Sequence, residues 1–140
     1  MLRQASTTLE FATTRQGLVE VTRPIAQWVE GSGMAQGLLT IFCRHTSASL
    51  LINENAAAEV REDLEAFFQR VAPEHPGGYS HDDEGPDDMP AHLRTALTQV
   101  QLSIPLLQGS LALGAWQGIY LFEHRRRAHR RSLVLHLIGE

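Results

Sequence analysis

The chain has 140 residues, of which 43% are hydrophobic, so it is long enough to bury one core without disulfides and too apolar to be disordered throughout. Its formal net charge is −4 and all 12 of its basic residues are arginine, which provides no general attraction for polyanions and excludes a lysine Schiff base or a P-loop lysine. No apolar run approaches the roughly 20 residues of a membrane-spanning helix, and residues 1–10 do not resemble a signal peptide.

The N-terminal part of the chain is predicted to contain two strands and one helix. Residues 3–13 and 17–21 have the composition of strands, and we expect them to pair as a hairpin. Thr22 suits the N-cap of a short helix, Pro24 suits its first turn, and the glycines at 31 and 33 end it. This helix is expected to direct three apolar side chains toward the core, those of Ile25, Trp28 and Val29.

Two apolar strands and the most regular helix of the sequence follow. Residues 37–43 are apolar on both faces, which predicts an interior strand. The single cysteine, Cys43, is expected to be a buried, reduced thiol, and we predict a cytoplasmic location. Residues 48–52 form the next predicted strand, and Asn53 or Asn55 is expected to cap the helix after it. The apolar stripe of that helix recurs at spacings of three and four and comprises Val60, Leu64, Phe67, Phe68 and Val71.

The rest of the chain combines a long acidic loop with one helix and three strands. Residues 73–90 contain several prolines and glycines among acidic residues, and a loop of this length in a compact domain is usually functional or disordered. Asp88 is predicted to cap the next helix, whose buried stripe comprises Leu93, Leu97 and Val100. Strands are predicted at residues 102–107, 116–124 and 132–138.

The order of these elements favours the α+β class, because helices and strands do not alternate regularly. We therefore predict one compact domain over residues 1–140, built as a mixed or antiparallel sheet sandwich with two to three helices. The sequence contains no internal repeat that would indicate a second unit.

The first candidate site is the acidic segment between His81 and His92. Imidazole and carboxylate groups bind zinc and related metals, and carboxylates also suit magnesium. His92 falls in the first turn of the predicted helix, where free backbone N–H groups attract anions. The alternative interpretation is a solvated acidic loop whose carboxylates only cap the helix, because the spacing matches no standard metal motif.

Two further stretches place polar groups beside apolar strands. His45, Thr46 and Ser47 follow the strand at 37–43, either as a polar site or as a turn whose hydroxyl groups satisfy the backbone. In the strand at 116–124, Gln117 and Glu123 lie on a mostly apolar face. They are either site residues or parts of a structural hydrogen-bond network.

The run at residues 123–131 is strongly basic. Its ordinary interpretation is a solvated hairpin turn, and its functional interpretation is phosphate binding through arginine. Nucleic-acid binding is not favoured, because the run lacks interleaved aromatic residues and the chain as a whole is acidic.

Several of these motifs, taken in order, resemble one known family. They are HTSAS at 45–49, NEN at 53–55, DEGPDDMPAH at 83–92 and GAWQGIYL at 114–121, together with His81, Glu123 and Arg131. Their order and spacing resemble the YjbQ family of small bacterial and archaeal proteins over nearly the whole chain. Ala115 departs from the threonine that is frequent in that family, and the arginine-rich turn is unusually basic.

The resemblance implies an α+β homotrimer with a weak, secondary thiamine-phosphate synthase activity. That reaction joins a hydroxymethylpyrimidine diphosphate to a thiazole phosphate and releases pyrophosphate. One polar pocket is implied, which takes a divalent metal, Mg²⁺ or Zn²⁺, and a small phosphorylated substrate or anion. The expected catalytic residues are His45, His92 and Glu123. The expected metal ligands are His81, Glu84, Asp88 and His92. The expected ligand-binding residues are Ser47, Asn53, Gln117, Tyr120 and Arg131.

Two alternatives to synthase activity use the same pocket. One is a protein that binds a metal or a small anion without catalysis. The other is metal-assisted hydrolysis of a phosphate ester, since histidine and carboxylate ligands to a metal allow a water to be activated at neutral pH.

Overall fold

Two antiparallel sheets and three helices make up the computed structural model, which describes residues 1–140. The strands are β1 (Arg3–Thr13), β2 (Gly17–Glu20), β3 (Gly37–Cys43), β4 (Ala48–Glu54), β5 (Gln101–Leu107), β6 (Ser110–Leu111), β7 (Gln117–Glu123) and β8 (His129–Gly139). The helices are α1 (Thr22–Gly31), α2 (Ala58–Val71) and α3 (Asp88–Leu97). The larger sheet has the order β1-β8-β3-β5-β6 and the smaller has the order β2-β7-β4. The predicted α+β class with antiparallel sheets is confirmed.

One hydrophobic cluster of 17 buried residues joins both sheets and α1. β5 and β8 alternate buried and exposed residues, as strands do when one face lies on a core. Ile25 and Val29 of α1 are buried in the cluster, as predicted, whereas Trp28 packs against it partly exposed. Cys43 is buried as a free thiol. None of the three helices has the length and apolar character that crossing a bilayer would require.

The predicted hairpin between the first two strands is wrong. β1 pairs with β8 along its whole length, and β2 pairs with β7 in the other sheet. Residues 14–16 therefore carry the chain from one sheet to the other. Alternation of apolar residues decides which face of a strand is buried but not which strand lies beside it, so this pairing depends on long-range contacts.

The predicted helix caps also differ from the structure. Neither Asn53 nor Asn55 caps α2, whose N-cap position is occupied by Ala57. In α3, Asp88 is the first helical residue and Asp87 holds the N-cap position without a side-chain cap bond. Both aspartate carboxylates are bound instead by an arginine of the β7–β8 connection. A long-range ion pair has therefore replaced the local cap at this helix.

The buried faces of the later helices were predicted only in part. α2 has no fully buried residue, and Phe67 and Val71 of its predicted stripe face solvent. In α3, Leu97 is exposed, whereas Ala91 and Arg94 are buried. α3 packs against β4, and this docking, rather than apolar periodicity, decides which side of the short helix is covered.

Two connections between strands meet near the start of α3. β3 ends and β4 begins on either side of residues 44–47, and β7 and β8 flank residues 124–128. Ala48 lies opposite Glu123 in the antiparallel register, and the amide of His124 donates to the carbonyl of Ser47 at 3.2 Å. The polar residues of both connections are thereby placed next to the first turn of α3.

Candidate functional site

Four potential metal ligands converge where the acidic loop enters α3. Each of His81, Glu84, Asp88 and His92 offers one ligand atom, and these atoms all lie within 4.8 Å of one another. The Nε2 atom of His81 is 2.7 Å from Oδ2 of Asp88 and 2.9 Å from Oε2 of Glu84. Nε2 of His92 is 3.1 Å from the same Oδ2 of Asp88. The four residues predicted as metal ligands are thus adjacent in the folded chain.

The ring of His92 is oriented by the β3–β4 connection. Its Nδ1 atom lies 2.8 Å from the carbonyl oxygen of Thr46. A carbonyl oxygen only accepts, so Nδ1 of His92 carries a proton and donates it. When the ring is neutral, Nε2 is the nitrogen without a proton, and it lies on the side of Asp88. Histidine ligands of metals are typically held in this way by a hydrogen bond from the opposite ring nitrogen.

Arg125 positions the carboxylate of Asp88 through the oxygen that does not contact the histidines. Its Nη1 donates to Oδ1 of Asp88 at 2.7 Å, its Nε donates to Oδ2 of Asp87 at 3.0 Å, and its Nη2 donates to the carbonyl of Glu84 at 2.9 Å. One guanidinium therefore holds both aspartates and the loop that carries Glu84. The remaining oxygen of Asp88 is left to face His81 and His92.

The charge environment keeps Asp88 ionised. Burial opposes ionisation of this carboxyl group, but the hydrogen bond from His81 and the charges of His92 and Arg125 outweigh it and hold the pKa of Asp88 below its usual value. The hydrogen bond to Asp88 also raises the pKa of His81. The ionised carboxylate of Asp88, placed between two imidazoles, therefore favours a positive charge at this position, either a proton on a ring or a bound cation.

The donor set fits a zinc-class ion better than magnesium. Two imidazole nitrogens and two carboxylates are ligands that Zn²⁺ and related transition metals accept. Magnesium prefers oxygen ligands and retains several waters. The side chains of His81 and Glu84 are 42% and 61% exposed, so this side of the cluster is open to a water or a substrate.

A groove of about 700 Å³ adjoins the ligand cluster. His45 and His92 both line it, together with an apolar wall that includes Phe42 and Val100. Nε2 of His45 accepts a hydrogen bond from the amide of Ser132 at 2.8 Å, so the proton of the neutral ring resides on Nδ1. Burial and then the charge of Arg131 lower the pKa of His45, which favours the neutral imidazole.

Glu123 and Arg131 form a buried ion pair behind the groove. Glu123 is fully buried, and its oxygens accept hydrogen bonds from Thr13 at 2.5 Å, from Nε of Arg131 at 2.8 Å and from the amide of Arg125 at 3.1 Å. Arg131 also donates to the carbonyl and the hydroxyl of Ser47, both at 3.1 Å. Glu123 thus faces protein groups on all sides, and this pair fixes the connection that carries His45.

The remaining expected site residues lie in the middle or at the opposite end of β4 and β7. Asn53 is opposite Gly118, five residues along β4 from Ala48, which is roughly 17 Å at about 3.4 Å per residue. The hydroxyl of Tyr120 accepts from Arg61 at 3.2 Å, and Gln117 accepts from the amide of Gly114 at 2.8 Å. Within one chain, Asn53, Gln117 and Tyr120 do not reach the ligand cluster.

Sequence reasoning missed the roles of Arg125 and of the Thr46 carbonyl. Arg125 stands in a run of arginines that has the pattern of a solvated turn or a phosphate site, and nothing in that run distinguishes it from Arg126 or Arg127. Thr46 acts through its backbone, so its residue type contains no signal. The adjacent carboxylates of Asp87 and Asp88 are the feature of the sequence that could have predicted a cationic side chain nearby.

The sequence and the fold both match proteins of one family. The family model described as UPF0047 protein YjbQ-like matches residues 7–140. A UPF0047 protein of Synechocystis is 47% identical over 138 residues, which cover 99% of this chain and 94% of that protein. The YjbQ protein of Salmonella typhimurium is 40% identical over 134 residues, which cover 95% of this chain and 96% of the relative.

Solved structures show the same architecture. A Sulfolobus solfataricus protein of unknown function, described as YbjQ-like, superimposes with a TM-score of 0.92 at 26% identity and covers 100% of both chains. A conserved hypothetical protein of Thermus thermophilus superimposes with a TM-score of 0.75 at 31% identity, over 92% of this chain and 97% of that chain. The match in sequence and in fold extends over essentially the whole chain, which therefore belongs to the YjbQ (UPF0047) family.

Proposed function

We propose that this protein holds a zinc-class divalent ion between His81, Glu84, Asp88 and His92, and that it binds a small phosphorylated molecule in the adjoining groove. The observation that carries the proposal is the orientation of His92, whose Nδ1 bond to Thr46 places its Nε2 3.1 Å from Oδ2 of Asp88. An unprotonated nitrogen and a carboxylate oxygen at this separation repel each other unless a cation or a proton lies between them. A divalent ion satisfies all four groups at once.

The reaction to test first is thiamine-phosphate synthesis, which the family resemblance suggested. A bond forms between the thiazole nitrogen and the methylene carbon of the pyrimidine, and the carbon–oxygen bond to the diphosphate breaks. The electron pair of that bond leaves on pyrophosphate. A bound divalent ion would supply positive charge for that leaving group.

The residues of this chain have separable roles in that proposal. His45 and His92 line the groove and are available to position a substrate or accept a proton. Arg131 is almost fully buried and bonded to Glu123 and Ser47, so its role is to position the β3–β4 connection. Glu123 acts through Arg131 in the same way.

A second reaction, hydrolysis of a phosphate ester, is favoured by the exposure of the cluster. His81 and Glu84 face solvent on one side, which leaves room for a water beside the ligand set. Catalytic zinc sites typically keep one such open position, whereas structural sites are closed. Binding of a metal without turnover of either substrate would indicate the non-catalytic alternative.

Metal analysis and turnover assays of the purified protein test the proposal. We expect about one zinc-class ion per chain and loss of that ion in His81→Ala and His92→Ala. His75→Ala is the matched control, because His75 is an exposed imidazole of the same loop outside the cluster. Retention of the metal by both cluster variants would refute the metal site. Thiamine phosphate formation that is unchanged in His92→Ala would refute the synthase assignment.

We also propose that the chain assembles as a homotrimer, as the family resemblance implied. The outer face of the larger sheet supports this proposal, because Leu38, Phe42 and Ile138 are 41%, 45% and 38% exposed there. Leu38 and Ile138 are direct partners in the register of β3 and β8, and Phe42 lies on the same face beyond the pair of Thr40 and His136. Patches of this kind on a sheet are typical of protein–protein contacts.

A further inference from the structure

Arg94 is a buried arginine without an acidic partner. Its exposure is 5%, and it forms no salt bridge with any carboxylate. Its guanidinium donates one hydrogen bond, from Nη2 to the carbonyl of Ala72 at 2.9 Å, and its buried Nε has no partner. Buried charges in proteins are normally paired with an opposite charge. Arg94 has no such partner within the chain, so a bound ligand is the remaining source of a counter-charge.

A cavity of about 310 Å³ lies in front of this guanidinium. Three arginines line it, Arg15, Arg94 and Arg126, together with the amide side chains of Gln16 and Gln69. The cavity is small, at the lower end of the roughly 300–1,000 Å³ that is typical of ligand sites. Its size and its donors suit a small polar molecule.

Glu65 is the acidic residue that lines the cavity, Glu74 lies beside it, and both are already paired with arginines of the cavity. Oε2 of Glu65 accepts the amide of Leu18 at 3.0 Å, and its Oε1 lies 3.8 Å from Arg15. The carboxylate of Glu74 is bonded to Arg126. Of the three guanidinium groups that line the cavity, those of Arg15 and Arg126 each have a carboxylate partner, and that of Arg94 has none.

The charge on Arg94 persists despite its burial. Burial lowers the pKa of Arg94 from its ordinary value, and the charge of Glu74 counteracts part of that effect. Arginine starts from a pKa so high that it stays protonated in proteins. The cavity therefore presents a permanent positive charge with unused N–H donors.

We infer that this cavity is a binding site for a small oxyanion of the phosphate class, either inorganic phosphate or the phosphate group of a metabolite. Guanidinium groups bind phosphate oxygens through charge-assisted hydrogen bonds of fixed geometry. Three arginines around one cavity suit an anion that has several oxygens pointing in different directions, as phosphate does. The anion would supply the missing counter-charge of Arg94.

This site is separate from the proposed metal site. None of the four metal-ligand residues lines the arginine cavity. The two are connected through Arg126, whose backbone amide donates to Oδ2 of Asp87 at 2.9 Å, next to the ligand Asp88. Anion binding in protein stripped of metal therefore tests this inference independently of the proposed function.

The experiment is a calorimetric titration of chelator-treated protein with inorganic phosphate and, in parallel, with phenyl phosphate. We expect saturable binding and a rise in melting temperature with phosphate. Arg94→Met should weaken the affinity by roughly tenfold or more, the equivalent of losing one charge-assisted bond. Arg130→Gln is the matched control, because it removes the same charge from an exposed arginine that is paired with Glu10 on β1. Tighter binding of phenyl phosphate than of phosphate would support a site for the phosphate group of a larger molecule, and the reverse order would support inorganic phosphate.

Two results would overturn the inference. One is wild-type protein that shows no saturable response to either anion. The other is Arg94→Met protein that is folded by circular dichroism and binds phosphate as tightly as the wild type. If Arg94→Met does not fold, the affinity for phosphate is measured on the double variant Arg15→Gln/Arg126→Gln instead. This variant alters only exposed guanidinium groups of the same cavity. Unchanged affinity in that variant would also reject the site.

Discussion

The Nδ1 atom of His92 lies 2.8 Å from the carbonyl oxygen of Thr46, so α3 and the β3–β4 connection are joined at the proposed metal site. Because the contact uses a backbone carbonyl, it depends on the path of the chain between two strands of different sheets. The same connection carries His45 and Ser47, whose partners lie on β8. The orientation of the metal ligand therefore depends on the assembly of both sheets.

Replacing Arg125 with glutamine should weaken metal binding without removing a ligand. Arg125 orients Asp88, Asp87 and the Glu84 segment, and loss of such outer contacts typically lowers metal affinity roughly 10–100-fold. The measurement is a competition titration of Zn²⁺ against a chelating dye. Arg127→Gln, a neighbouring exposed arginine, should bind zinc as the wild type does. Equal affinities for all three proteins would show that Arg125 does not position the ligand.

Replacing Glu123 with glutamine should destabilise the fold strongly. It leaves the buried Arg131 without a counter-charge, and breaking a buried pair from one side costs about 3–5 kcal/mol. The free energy of unfolding, measured by urea denaturation, checks this prediction. Glu10→Gln breaks the exposed pair with Arg130 and should cost less than about 1 kcal/mol. A Glu123→Gln protein as stable as Glu10→Gln would contradict the structural role of the buried pair.

The buried imidazole of His124 should make the protein less stable as the pH falls. Burial lowers the pKa of His124 to about 3, and the charges of Arg94 and Arg131 act in the same direction. The unfolded chain takes up this proton near pH 6.5, the ordinary value, whereas the folded chain does not. Between these two values the unfolded state binds the extra proton, so this residue lowers the unfolding free energy by up to about 1.4 kcal/mol for each pH unit.

The variant His124→Gln isolates this effect, because glutamine has no titrating ring and keeps a polar group near Ser49. Urea denaturation at pH 7.5, 6 and 5 should show a smaller loss of stability for the variant than for the wild type. Parallel pH profiles of the two proteins would mean that His124 is not the group responsible.

Replacing Phe42 with glutamate should disrupt the proposed trimer. Phe42 is 45% exposed on the outer face of the larger sheet, and a carboxylate there would be costly to bury in a contact between chains. Sedimentation velocity should report a smaller species for this variant than for the wild type. Phe67→Glu is the control, since Phe67 is 46% exposed on α2, away from that sheet. A wild-type monomer would refute the trimer, and a Phe42→Glu trimer would exclude this face as its contact.

Several of these conclusions were accessible from the sequence because they depend on neighbours along the chain. Runs of apolar residues and turn residues were enough to predict the strands at 37–43 and 102–107 and the helix that ends at Gly31. Residue types predicted a helix that begins near Asp88 and has His92 close to its start, and the structure has α3 at Asp88–Leu97. The motifs around His45 and Gln117 indicated the family, and that assignment is confirmed.

The pairing of β1 with β8, the burial of Arg94 and the role of Arg125 were decided only by the tertiary structure. Each of them joins groups that are distant along the chain, and the identity of a residue does not specify which distant residue will lie beside it. Burial is also a property of packing, since the docking of α3 covers an arginine and exposes Leu97. Residue types and the family resemblance thus indicated the candidate ligands, whereas their orientation and the uncompensated charge of Arg94 arose from contacts between separate elements.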